Sequence, residues 1–153
     1  MSHGLISTRE RTRFFRFAVV GIIGAVVDFG IENLLHRFFG VDYVISGGIS
    51  FTCAILSNFI WNRYWTYPDS RSKPIGRQLV QFALVSVAGL AIRLPILHFL
   101  EPVVTRWMGQ LPPSLWILPP DALGENLTLA FAVVVVMFWN FFINRYWTYN
   151  DVH

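Results

Sequence analysis

Four apolar runs, each about as long as a bilayer is thick, decide what this chain can fold into. They cover residues of about 14–35, 44–64, 79–100 and 127–147. A spanning helix needs about 20 apolar residues, because one residue rises 1.5 Å and the hydrocarbon core is about 30 Å deep. A soluble domain of 153 residues could not hide four such runs. Charged residues make up 14% of the chain, little over half the share of about 25% in soluble domains. The mean hydropathy of +0.50 agrees. An all-α, polytopic membrane protein is therefore expected. The first run is too long for a signal peptide and lacks a small-residue cleavage site, so a retained helix is expected there. The single cysteine, Cys53, lies inside an apolar run, where packing is its expected role.

The second and fourth runs end alike. Asn62-Arg63-Tyr64-Trp65-Thr66-Tyr67 returns letter for letter as Asn144-Arg145-Tyr146-Trp147-Thr148-Tyr149, and Asn58-Phe59 returns as Asn140-Phe141 at the same offset of 82. The first and third runs also begin alike. Phe17-Ala18 matches Phe82-Ala83 and Gly24 matches Gly89 at an offset of 65. Two helical hairpins related as repeats are expected. On this division residues 1–13 form a basic tail, residues 14–149 a four-helix membrane domain, and residues 101–126 a Pro-rich loop with Trp107 and Trp116.

Arginine and lysine set the orientation. Arg9, Arg11, Arg13, Arg16, Arg63, Arg71, Lys73, Arg77 and Arg145 fall on one side, nine in all, against two, Arg37 and Arg106, on the other. The positive-inside rule then places both termini in the cytoplasm and leaves residues 101–126 outside. Each half crosses twice, so the repeat is parallel and both hexapeptides lie at the cytoplasmic leaflet. The net charge of +3 is this topology pattern and no nucleic-acid footprint.

Three groups of residues carry candidate chemistry. Asp28 and Glu32 share a face of the first span, and the repeat alignment puts Arg93 opposite Asp28. Charges at this depth are costly, so they either tie the halves together or line a polar path. Asn58 with Asn62, and Asn140 with Asn144, set two amides on one helix face four residues apart. They are either interhelical glue or ligand contacts. Arg63 and Arg145, backed by Arg16 and Arg77, present forked guanidinium groups suited to a phosphate, unless they only reach for bulk headgroups. Trp65 and Trp147 suit the membrane interface. His98 reads as an interfacial histidine. No metal-ligand spacing, nucleophile elbow or glycine-rich phosphate loop is present, so neither an enzyme nor a cofactor is expected.

These residues resemble the GtrA-like family of four-helix membrane proteins. The resemblance rests on Arg16-Phe17 with Gly21, on Asp28, and on the two endings Asn58-Phe59-x-x-Asn62-Arg63-x-Trp65-Thr66 and Asn140-Phe141-x-x-Asn144-Arg145-x-Trp147-Thr148. It covers roughly residues 13–149. Tyr67 and Tyr149 stand where phenylalanine is expected, and the Pro-rich loop looks like an insertion. The resemblance implies translocation of a polyprenyl-phosphate-linked sugar, such as undecaprenyl-phosphate glucose, across the bacterial inner membrane for cell-surface polysaccharide synthesis. It also implies membrane glycosyltransferases as partners. On that implication Arg16, Arg63 and Arg145 hold the phosphate. Asn58, Asn62, Asn140 and Asn144 bond sugar hydroxyls or position the arginines. Trp65 and Trp147 stack on the sugar, and Asp28 with Arg93 forms a gate. Two alternatives stand beside it. One is a non-transporting scaffold for a glycosyltransferase. The other is a small proton-coupled cation exporter, which the charge bias and Arg93 disfavour. Four helices are few for enclosing a glycolipid, which leaves room for a homo-oligomer.

Overall fold

The computed structural model describes residues 8–113 and 118–152. Residues 1–7 of the expected tail, and Trp116 of the expected loop, lie outside the described residues. Among the described residues four helices follow in order: α1 Thr8–Asn33, α2 Tyr43–Trp61, α3 Ile75–Gly109 and α4 Pro120–Ile143. Three of them close on π-helical turns, at Leu34–Phe38, Asn62–Thr66 and Asn144–Thr148.

The polarity of the protein is inverted relative to a soluble bundle. Phe15, Ile22, Val26 and Phe29 are exposed along α1, while Ser46, Ser50, Gln78, Thr128 and Asn144 are buried. Water would reverse that arrangement, because exposed apolar area and buried amides both raise the free energy. Lipid permits it, since the backbone bonds are satisfied inside each helix. Thr8–Phe38, Ile75–Gly109 and Pro120–Thr148 are each long and apolar enough to cross a membrane. α2 is 19 residues, about 28 Å at 1.5 Å per residue. It carries serines, glycines and Thr52 but no charged residue.

Two compact units divide the chain, one of Met1–Ala83 with Ile143–His153 and one of Leu84–Phe142. In the first, α1 lies along α2. α1 offers Arg13, Phe17, Val20 and Gly24, spaced by three and four so that they form one stripe. α2 buries Ser46, Ser50 and Ala54 along its own length, small residues that permit close packing. The serine hydroxyls are satisfied locally. Ser46 donates to the carbonyl of Asp42 at 2.9 Å and Ser50 to that of Gly47 at 3.1 Å. A Cβ at Gly24 would collide with the Asn58 amide.

In the second unit the same contact recurs. A Cβ at Gly89 would stand 3.2 Å from Asn140 Nδ2 and 3.0 Å from a Val136 methyl. Gly24 with Asn58, and Gly89 with Asn140, are therefore equivalent seats. Trp139 Nε1 donates to the Val85 carbonyl at 3.2 Å, and Gly124 abuts Thr105.

The structure departs from expectation after residue 100. A loop is expected over 101–126, but α3 runs through Pro95 and Pro102 to Gly109 and α4 starts at Pro120. Each proline removes one N–H from the ladder, a loss that a long membrane helix absorbs. Thr105 Oγ1 adds a bond to Glu101 Oε1 at 2.8 Å across the turn beyond Pro102. Pro120 is the first residue of α4, where the missing N–H has no cost, and Asp121 follows in the positive first turn.

Candidate functional site: the paired hexapeptide ends

Both hexapeptides make the same π-helical turn, and both lie in the first unit. The Tyr67 N–H donates to the Asn62 carbonyl at 2.8 Å, and the Tyr149 N–H to the Asn144 carbonyl at 2.8 Å. That i→i+5 ring is one residue wider than an α-helical turn, a device often found at functional positions. It turns Asn62, Thr66 and Tyr67 inward, and likewise Asn144, Thr148 and Tyr149, while Tyr64 and Tyr146 face out. The two terminal tyrosines stack with ring centroids 4.4 Å apart and planes 16° apart. Phe82 tilts against Tyr149 at 6.5 Å and against Phe59 at 5.8 Å.

Distant cations cap the two ends. Arg16 Nη1 donates to the Trp65 carbonyl at 3.0 Å and lies over the Trp65 ring. Arg71 Nη1 donates to the Arg63 carbonyl at 3.0 Å. Lys73 Nζ donates to the carbonyls of Trp147 at 2.8 Å and Thr148 at 3.1 Å. Helix C-termini carry partial negative charge and orphan carbonyls, so these contacts satisfy both needs. Burial lowers the Lys73 ammonium from its ordinary value, Asp151 opposes that shift, and Arg77 adds to it. Asp151 holds the loop through the Ser70 hydroxyl, the Ser72 hydroxyl (2.7 Å) and the Ser72 N–H (3.0 Å). Burial alone would raise the Asp151 carboxyl, but these hydrogen bonds outweigh it and hold it below the usual range.

The two arginines of the hexapeptides have different surroundings. Arg145 Nε donates to Glu10 Oε1 at 3.1 Å and Oε2 at 3.3 Å. Glu10 also accepts from Arg13 Nη1 at 2.7 Å, and Arg13 Nη2 reaches Asp69 Oδ2 at 2.8 Å. Arg63 is only 7% exposed, yet its Nε and Nη1 have no hydrogen-bond partner among the described residues. The amides differ too. Thr148 Oγ1 donates to Asn144 Oδ1 at 2.8 Å, whereas Asn62 Oδ1 and Thr66 Oγ1 find no such partner.

Both tyrosine hydroxyls are buried without a partner among the described residues. Burial pushes the Tyr67 phenol up, Glu10 adds to this, and Arg145 and Arg13 oppose it. Burial also pushes Tyr149 well up, Tyr67 adds to this, and Arg63 opposes it. Each tyrosine therefore senses the arginine of the other copy, and both stay neutral.

Of the residues singled out by sequence, this end gathers Arg16, Asn62, Arg63, Trp65, Asn144, Arg145 and Trp147. Asn58 lies one turn deeper against Gly24, and Asn140 lies against Gly89 in the second unit. Asp28 belongs to the first unit and Arg93 to the second. On α1, Asp28 stands 12 residues past Arg16, roughly 18 Å along the helix. Sequence reasoning missed Glu10, Gln78, Gln81 and the hydroxyls of Tyr67 and Tyr149. Extending the offsets of 65 and 82 outward would have drawn attention to them.

Residues 16–149 match the family model described as GtrA/DPMS, transmembrane domain. The chain belongs to that family. Two relatives of this GtrA/DPMS chain each match over part of it. The uncharacterized membrane protein YngA of Bacillus subtilis (strain 168) is 31% identical over 86 residues, 56% of this chain and 57% of that protein. A dolichol-phosphate mannosyltransferase of Pyrococcus furiosus is 30% identical over 83 residues, 54% of this chain and 23% of that protein. The chain thus spans less than two thirds of the curated relatives it matches.

Proposed function

We propose that this chain binds a polyprenyl-phosphate-linked sugar at the hexapeptide end of the bundle and carries it across the bacterial inner membrane for polysaccharide synthesis. The observation that carries the reading is Arg63, a buried guanidinium at the end of a membrane helix with two nitrogens unpartnered among the described residues. A guanidinium fork fits phosphate oxygens, and burying one without a counter-charge costs several kcal/mol. A phosphate supplies the missing charge and acceptors. Membership of the GtrA/DPMS family and the relative named as a dolichol-phosphate mannosyltransferase support a lipid-linked sugar context. In this account the termini face the cytoplasm, Arg16 and Trp65 brace the site, and Asp28, deeper on α1, lies on the outward route. The protein acts as a transporter, beside glycosyltransferases that load and use the lipid. In proteoliposomes, Arg63→Ala abolishes accelerated flipping of the lipid-linked sugar. Wild-type flipping by that variant would refute the phosphate role.

One observation favours a second reading. The matched segment is 23% of the Pyrococcus furiosus transferase, so a segment of this kind there shares its chain with much more protein. A scaffold that seats a separate transferase needs only that arrangement. Proteoliposomes that never flip the lipid, from protein that co-purifies with the transferase, would decide for it.

A further inference from the structure

The repeat continues beyond the matched letters. The offset of 65 carries Arg13 onto Gln78, Arg16 onto Gln81 and Glu10 onto Ile75, and the offset of 82 carries Asp69 onto Asp151. Burial follows the alignment. Arg13 is 4% exposed and Gln78 0%, while Phe17 and Phe82, and Val20 and Val85, are buried in pairs. Contacts follow it as well. Arg13 bonds Asp69 directly, and Gln78 Nε2 reaches Asp151 through the Ser70 hydroxyl. Each copy's arginine lies within electrostatic reach of the other copy's tyrosine. The first unit thus holds two equivalent seats, one at Arg145, Tyr67, Arg13 and Arg16, the other at Arg63, Tyr149, Gln78 and Gln81.

Three members differ between the seats, and one of them decides whether an arginine is neutralised. The first seat contains a carboxylate, Glu10, bonded to both Arg145 and Arg13. Its counterpart at the second seat is Ile75, which has no charge. There Arg63 keeps two buried nitrogens unpartnered among the described residues, and so do the Gln78 and Gln81 Oε1 atoms and the Tyr149 hydroxyl. Gln78 and Gln81 are 0% and 8% exposed. Such groups are costly to bury unless something bonds them.

We propose that the Glu10 carboxylate marks the anion seat of this fold, and that the equivalent seat at Arg63, Gln78, Gln81 and Tyr149 binds the phosphate of an external ligand. The proposal rests on the reading that the ligand carries a phosphate. Arg63 supplies forked donors. The Gln78 amide, its Nε2 held by the Ser70 hydroxyl, offers Oε1 to a ligand hydroxyl, while the Gln81 amide and the Tyr149 phenol bond the remaining phosphate oxygens or adjacent hydroxyls.

The test is calorimetric titration of the full chain in nanodiscs with farnesyl phosphate, with inorganic phosphate as competitor. Ile75→Glu installs the missing carboxylate and is expected to weaken binding about tenfold or more, while Ile75→Gln stays near wild type. Gln78→Leu with Gln81→Leu is expected to weaken it as well. Glu10→Gln unmasks the first seat and raises the stoichiometry from one probe per chain to two, a gain that misfolding cannot produce. If Arg63→Ala loses binding but Ile75→Glu keeps wild-type affinity, or Glu10→Gln stays at one, the seat assignment is overturned and the phosphate reading survives. If Arg63→Ala binds normally, the phosphate reading itself fails. Competition by inorganic phosphate at comparable affinity identifies free phosphate as the ligand; tight binding of farnesyl phosphate alone identifies a lipid headgroup.

Discussion

The two hexapeptides are identical in sequence and make the same kind of π-helical turn, yet they differ in what their polar atoms do. In the second copy Arg145 is neutralised by Glu10 and Asn144 is bonded by Thr148. In the first copy Arg63, Asn62 and Thr66 each keep buried atoms unpartnered among the described residues. Identical local structure has therefore been given two environments by residues far away in sequence. Duplication set the frame, and divergence at Glu10 against Ile75, Arg13 against Gln78 and Arg16 against Gln81 gave the copies different jobs. One end has its arginine and its asparagine satisfied internally, as a structural support should be. The other keeps two buried guanidinium nitrogens unpartnered among the described residues, a cost that functional sites bear.

Four outcomes break or sharpen this contrast. The largest concerns the two glycine seats. Gly24→Ala drives a Cβ into the Asn58 amide and is expected to cost about 2–3 kcal/mol, while Gly89→Ala meets its neighbours at 3.0–3.3 Å and costs under about 1 kcal/mol. Denaturant unfolding in detergent compares them. Next come the arginines. Arg145→Met leaves Glu10 with fewer partners and is expected to cost about 1–2 kcal/mol. Arg63→Met removes a buried guanidinium with two nitrogens unpartnered among the described residues and is expected to melt at or above wild type. Lys73→Ala removes a cation from the second helix end and is expected to cost about 0.5–1 kcal/mol, read as a lower melting temperature. The smallest is a pH effect. The Asp151 carboxyl is depressed in the folded protein, so its contribution is complete above the unfolded value of about 4 and fades as pH falls through the lower folded value. Asp151→Asn should flatten that acid limb of the stability profile.

Much of the fold is legible in the sequence. Run length alone places four helices, and the repeat marks Gly24 with Gly89 and Asn58 with Asn140 as equivalents, while the contact of each glycine with its asparagine is seen only in the structure. The extension of α3 through Pro102 is not legible, because a proline near the end of an apolar run reads as a breaker until its neighbours are known. At the site, Asn62, Arg63, Asn144 and Arg145 stand out because they repeat. Which arginine is neutralised does not, since Glu10 sits in a polar tail 135 residues from its partner. Gln78 and Gln81 are neutral and follow a loop; the offset of 65 pairs them with Arg13 and Arg16, and their burial in the folded chain gives that pairing its meaning.

The most direct test of the central claim is the flipping rate of a lipid-linked sugar in proteoliposomes carrying Arg63→Met beside those carrying Arg145→Met. Unequal copies predict that Arg63→Met reduces the rate to that of protein-free vesicles while Arg145→Met keeps most of it. Equal loss in the two variants would contradict the account.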